Sequence, residues 1–357
     1  MQSLKLITAT SLLTGLLAAP LARTAIKARS ETPPPLCQPQ KIPWRRGRDI
    51  QELPDDAALP GLVAIREAYL AGAIPLLGNR PIELGLSGYT PGSRATLEAR
   101  AGRHRVAVKA YAKDAAPEAA LYEALATAGL AGDSQVRVPP LLAWDRNLGV
   151  LVIGWLEGPT AEDLVKGGHG ERAGELAARW LQRAALLPVK LGPPLGATQI
   201  LGRARTWVAA VDAVDPALGT AATRLAAKLE QTQPQEGAPR LVHGTLYARH
   251  ILDCGAGPGV IDWQRFGQGP LELDAGIFLA SIWHLGMRHD PLAPEAARAE
   301  EAFLAGTAGL LDQRAVAWHR AAMLLRFANK QKLRHGNWVA RAQALLDEAA
   351  QSAQAAG

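Results

Sequence analysis

Apolar residues recur at Leu62, Ile65 and Tyr69 behind the acidic pair Asp55-Asp56, and this spacing predicts a short amphipathic helix that ends at Gly72 or Pro75. From Ile82 the period shortens to two. Ile82–Tyr89, Ala95–Ala99 and Val106–Tyr111 alternate as strands separated by the glycine-containing turns Thr90-Pro91-Gly92-Ser93 and Gly102, which predicts a small antiparallel sheet. A helical stretch from Pro117 to Leu125 follows. Val136–Trp144 and Gly149–Gly158 then read as two more strands, before Thr160 caps a helix that carries Glu162, Asp163 and Leu164. Beyond this point the helical period dominates, with Leu176, Trp180, Leu181 and Leu187 on one face. Strand-type sequence returns only at Leu241–His243, Ile251-Leu252 and Val260–Trp263. The pattern predicts an α+β chain in two lobes: residues 54–157 rich in sheet, residues 158–357 helical with one inserted hairpin.

The length of 357 residues accommodates two such lobes, and 48% hydrophobic with 20% charged residues describes a globular chain, not a disordered or multispan one. Cys37 and Cys254 lie too far apart in sequence and context for a zinc cage or a disulfide framework. The formal charge of +6 invites a nucleic-acid partner until it is located. Residues 1–50 hold eight Lys/Arg against Glu31 and Asp49, and this segment carries the whole excess; the other 307 residues balance 31 basic against 31 acidic. Nucleic acid is therefore not the expected partner. The locally basic stretch Arg326–His335 lacks interleaved aromatic residues for base stacking and reads as a solvated helix face.

Residues 1–53 read as a leader and a Pro-rich basic linker. Lys5, the apolar run Leu6–Ala22 and the small residues around Ala18-Ala19-Pro20 are compatible with an export or transit signal, with membrane association through residues 1–30, or with an unstructured extension. Pro33-Pro34-Pro35, Pro39 and Pro43 make the following segment extended.

Lys109 stands inside the apolar strand Val106–Tyr111, where an ammonium group requires an acid or a phosphate unless the strand is an edge and the side chain points to solvent. Glu118 and Glu123, on the next helix, are its candidate partners. Together with later segments, this residue gives the chain a resemblance. Lys109 with Glu118, Leu151–Gly158, His243–Leu252, Val260–Trp263 and Leu273–Gly276 occur in the order found in the aminoglycoside and choline phosphotransferase family, which has a protein-kinase-like fold with a small antiparallel-sheet N-lobe and a mainly helical C-lobe. The resemblance spans roughly residues 82–290. It implies that Lys109, paired with Glu118, positions nucleotide phosphates and that the backbone near Trp155 and Leu156 holds an adenine ring. It further implies that Asp262 binds metal, that His243 orients the catalytic loop and that Asp274 braces it. The implied cofactor is ATP, or another nucleoside triphosphate, with Mg or Mn; the implied partners are a nucleotide and a small hydroxylated molecule, or a protein where catalysis has been lost.

The chain departs from the family where the chemistry is done. Thr245 stands at the position of the catalytic Asp and His250 at that of the metal-binding Asn, while Tyr247-Ala248-Arg249 replaces the common His-Pro-Gly. A threonine hydroxyl is no conventional proton acceptor at neutral pH, and magnesium prefers oxygen to nitrogen ligands. Asp253 reads as a turn-stabilising residue and Glu272 as a helix-start acid, so neither replaces the missing carboxylate. The turn Tyr89–Arg94 closes a hairpin or covers phosphates. The sequence thus predicts a nucleotide-binding pseudo-phosphotransferase, with an active phosphotransferase of atypical mechanism as the alternative. A cytoplasmic body, with or without membrane attachment, fits nucleotide use better than secretion.

Overall fold

The computed structural model describes residues 55–70, 83–132, 135–331 and 337–356. The leader, the linker, Cys37 and the expected helix end at Gly72 or Pro75 lie outside the described residues. The chain forms two compact units. Among the described residues, the first comprises those up to Ala120 together with Pro140–Trp155, and the second comprises those of Leu121–Pro139 and from Leu156 onward.

In the first unit, α1 (Pro60–Leu70) precedes three consecutive antiparallel strands: β1 (Glu83–Thr90), β2 (Arg94–Ala101) and β3 (His104–Tyr111). Helix α2 (Ala116–Thr127) follows; the unit boundary falls within it. β4 (Leu141–Asp145) and β5 (Val150–Gly154) complete a five-stranded sheet in the order β1-β2-β3-β5-β4, which makes β3 the central strand. Period-two alternation divides its side chains between two faces. Val108 and Ala110 bury with Leu97 and Val152 against Leu62 and Ile65 of α1, while Leu151 on the opposite face packs with Ala115 and Ala119 at the start of α2.

The expected strand Val136–Trp144 is shorter in the structure. Pro139 and Pro140 have no N–H to give a ladder. β4 therefore begins at Leu141, and Arg137 instead donates its N–H to Pro258 O at 3.0 Å within the second unit.

That unit is mainly helical: α3 (Ala161–Lys166), α4 (Gly170–Ala184), α5 (Ala197–Asp212), α6 (Pro216–Gln231), α7 (Leu271–Arg288), α8 (Ala293–Gly306), α9 (Gln313–Gln331) and α10 (Trp338–Ala355). Thr160 caps α3 in a reciprocal box with Asp163, as its position before the helix predicts. Leu176, Trp180 and Leu181 line the buried face of α4. Side chains of α5, α6, α7, α9 and α10 share one core around Trp318, whose Nε1–H donates to Leu229 O at 2.9 Å.

Four short strands interrupt the helices. β6 (Arg240–Val242) pairs with β9 (Gly267–Gly269), and β7 (Ile251–Asp253) pairs with β8 (Pro258–Val260). β9, a Gly-Gln-Gly segment, carries no strand pattern in sequence. The two ladders fix both ends of the segment His243–His250.

Candidate active site

Lys109 projects from β3 on the α2 face of the sheet and is 4% exposed. Its Nζ lies 2.8 Å from Glu118 Oε1 in the first turn of α2, and the Tyr111 hydroxyl donates to Glu118 Oε2 at 2.6 Å. The carboxylate is thus held on both oxygens. Of the two candidate partners, Glu118 is the one that meets Lys109. Tyr111 was not singled out by sequence, although its place two residues after Lys109 puts it on the same face.

The turn Thr90–Arg94 is tied down from within the first unit. Asp56 accepts the Gly92 N–H at 2.8 Å and the Tyr89 hydroxyl at 2.9 Å, and these bonds hold the Asp56 carboxyl below its usual range. At the end of β5, the Arg105 guanidinium stacks on the Trp155 ring, 4.1 Å from its centroid. Leu156 is half-buried in the second unit, beside Gly259.

The second unit brings together His243, Thr245, His250, Asp262 and Asp274. Asp274, in the first turn of α7, accepts the backbone N–H groups of His243 at 2.6 Å and Gly244 at 2.9 Å. Burial pushes its carboxyl up to about 7 against the pull of these two bonds. Gly244 has φ +71, and a side chain there would collide with Arg265 O, so the loop needs glycine at this point.

His243 is fully buried. Its Nε2 lies 2.9 Å from Ile261 O, an acceptor, so Nε2 donates and Nδ1 of the neutral ring accepts. Nδ1 faces the Thr245 backbone N–H at 3.3 Å and the Thr245 Oγ1 at 3.2 Å. His250 Nδ1 donates to Thr245 O at 2.8 Å, which turns Nε2 toward Asp262 Oδ2 at 3.4 Å. Burial depresses the His250 imidazole to about 3 and keeps it neutral.

Asp262 is the one non-glycine with positive φ among the described residues, at +69. The expected strand Val260–Trp263 therefore stops at Val260. Such a conformation costs about 1–3 kcal/mol and clusters at functional sites.

Asp253 and Glu272 have structural engagements. Arg172 grips both Asp253 oxygens, at 2.8 and 3.1 Å, at the end of β7, and Glu272 accepts the Asp312 N–H at 3.1 Å.

The structure thus pairs Lys109 with Glu118, ties the loop to Asp274 and sets Asp262 at the end of a short hairpin. The model of the phosphotransferase enzyme family matches residues 103–324. The chain belongs to this family. Among solved structures, choline kinase LicA from Streptococcus pneumoniae is 14% identical with a TM-score of 0.53, over 75% of this chain and 93% of that one. A choline/ethanolamine kinase family protein from Mesorhizobium loti is 19% identical with a TM-score of 0.51, over 81% and 94%. An aminoglycoside phosphotransferase from Streptomyces rimosus is 20% identical with a TM-score of 0.50, over 74% and 98%. At these identities the likeness concerns the fold, which is protein-kinase-like, with an antiparallel sheet in one unit and a mainly helical second unit. No curated protein matches the chain.

The donor sets differ in how well they suit the family's cofactors. Lys109 offers an ammonium group, held 2.8 Å from Glu118. For a divalent cation, Asp262 offers carboxylate oxygens but its neighbour His250 offers nitrogen, and no group of three or more His, Cys, Asp or Glu suited to a metal occurs among the described residues. This is a poor match to magnesium, which favours oxygen ligands.

Proposed function

We propose that this member of the phosphotransferase family binds a nucleotide, ATP or a relative, and has lost phosphoryl transfer or retains little of it. The observation that carries the reading is the placement of His250, whose ring nitrogen stands 3.4 Å from Asp262 where the family has an oxygen ligand. Phosphoryl transfer depends on positioned phosphates, charge neutralisation and a group that orients or deprotonates the attacking hydroxyl. Lys109 with Glu118 supports the first requirement. When bound, Mg or Mn would supply charge neutralisation; Asp262 can contribute oxygen to it, while His250 weakens the site. Thr245 supplies no carboxylate for the third.

A second reading, an active phosphotransferase acting on a small hydroxylated molecule, is favoured by the 3.2 Å approach of Thr245 Oγ1 to His243 Nδ1. In it, Thr245 Oγ1 takes the proton of the acceptor hydroxyl as its own proton passes to Nδ1. Nε2–H stays on Ile261 O. The acceptor oxygen bonds the γ-phosphorus as the bond to the β-phosphate oxygen breaks.

The test is ATP consumption by the purified protein over a panel of hydroxylated metabolites, with magnesium and manganese each present, alongside ATP-dependent thermal stabilisation. We expect stabilisation that Lys109→Ala abolishes, negligible turnover in the wild type, and detectable ATP hydrolysis after Thr245→Asp with His250→Asn, because a general base contributes about 100- to 10,000-fold. Robust wild-type turnover that survives Thr245→Ala but disappears in Asp262→Ala would sink the pseudo-enzyme reading. A nucleotide requirement also favours a cytoplasmic site over an exported one. No helix among the described residues is long and apolar enough to cross a membrane.

A further inference from the structure

Three arginines of the second unit are gathered without an acid: Arg203 on α5, Arg265 between Asp262 and β9, and Arg326 on α9. Their neighbours in sequence bring them together. Ala204, next to Arg203, and Leu325 and Phe327, on either side of Arg326, are buried in the core that α5 and α9 share. Leu195, just before α5, donates its N–H to Gln268 O at 2.8 Å, and its side chain and Arg265 O both close on the space that a Gly244 side chain would take. The segment that carries Arg265 is thereby held against the start of α5.

Burial, and then the charges of Arg265 and Arg326, lower the Arg203 guanidinium from its ordinary value, so both cations reach Arg203. Elsewhere in the unit arginines meet acids: Arg172 grips Asp253, Arg205 meets Glu230, and Arg320 lies between Glu300 and Glu348. Arg203, Arg265 and Arg326 make no hydrogen bond or ion pair with any described residue. Arg203 and Arg265 are exposed; Arg326 is half-buried, with none of its guanidinium nitrogens closed to solvent. Like charges gathered without a counter-charge destabilise the empty protein. An oxyanion among them reverses the sign of each interaction, and guanidinium forks match the oxygens of phosphate and carboxylate.

We propose that Arg203, Arg265 and Arg326 form a binding site for a small polyanion, a phosphate monoester or a polycarboxylate. Outside residues 1–50 the basic and acidic residues balance, so the cluster is a local feature that suits a compact anion and not a nucleic-acid strand. It borders the loop of the candidate active site, since Arg265 O abuts Gly244 and the Phe327 ring lies 5.8 Å from that of Tyr247. The site does not depend on whether the protein transfers phosphate. It gives a role to Arg326, for which sequence predicts only solvation.

The experiment measures thermal shift and calorimetric binding on the full chain at low salt. The probes are glycerol 3-phosphate and citrate, with glycerol and choline as neutral and cationic controls. We expect one saturable site for at least one anion; whichever binds more tightly identifies phosphate or carboxylate as the preferred group. Arg203→Gln with Arg326→Gln should weaken it at least tenfold, since charge-assisted contacts are lost, and Arg265→Gln alone should weaken it several-fold. Without ligand, the double variant should melt at the wild-type temperature or above, because it relieves repulsion, whereas a merely structural role would lower it. Arg205→Gln, which removes a charge already matched by Glu230, should leave binding unchanged. Lys109→Met should also leave it unchanged, which separates this site from the nucleotide position. The proposal is overturned if neither anion binds, or if glycerol or choline binds as tightly. It is equally overturned if the double variant binds like wild type or melts lower without ligand, or if Arg205→Gln or Lys109→Met weakens binding as much as the cluster variants do.

Discussion

The Lys109–Glu118 pair offers the sharpest test of how the first unit is held together. Both side chains are almost entirely buried, with 5% and 7% of their surfaces exposed, at a separation of 2.8 Å. Glu118→Ala leaves the ammonium of a central strand without its carboxylate, and loss of one partner from a buried pair costs about 3–5 kcal/mol. The Tyr111 hydroxyl loses its acceptor as well, which adds about 1 kcal/mol. Replacing both charges by apolar side chains of similar volume, Lys109→Met with Glu118→Leu, removes the desolvation penalty along with the attraction. The double variant should therefore lie within about 2 kcal/mol of wild type, giving a coupling energy of several kcal/mol in a double-mutant cycle. Because the chain comprises two units, global unfolding need not be two-state. The assay is urea unfolding combined with hydrogen exchange at the β3 amides, which reports the first unit alone. A cost for Glu118→Ala below about 1 kcal/mol, or a double variant as unstable as the two singles combined, would refute the reasoning.

Two further outcomes follow from the second unit. His319 is fully buried, neither ring nitrogen has a hydrogen-bond partner, and burial pushes its imidazole down to about 3. At His319 the native state therefore binds fewer protons than the unfolded chain between about pH 3 and 6.5, so this residue's contribution to stability falls as pH drops below about 6.5, by up to about 1.4 kcal/mol per pH unit. Buried His250 acts in the same sense and Asp274, raised to about 7, in the opposite one, so the test is the difference between wild type and His319→Leu in urea titrations from pH 7 to 5, and an identical pH dependence of the two would refute the assignment. Gly244→Ala forces a side chain into a left-handed position against Arg265 O. It should destabilise the protein by more than about 1 kcal/mol and expose the Gly244 and His243 amides to exchange, whereas retained protection would show that Asp274 can hold the loop without glycine.

The order of elements was legible from the chain because hydrophobic period is a local property. Alternation marked β1 to β3, the Thr160 cap marked α3, and Lys109 was conspicuous as a charge in an apolar strand. Thr245 and His250 were legible as departures because the family pattern fixes residue types at fixed spacing. Proline chemistry, also local, explains why the strand expected from Val136 begins only at Leu141. Other features depended on partners distant in sequence. Gly267–Gly269 becomes a strand only because β6 supplies its ladder, and Asp262 leaves the strand region through a backbone conformation that its neighbours in sequence do not announce. The family pattern already favours Glu118 over Glu123 as the partner of Lys109, and the structure places Glu118 Oε1 2.8 Å from the ammonium. Sequence determines which groups are available; packing decides which are buried together, and burial is what turns a charge or a hydroxyl into a requirement for a partner.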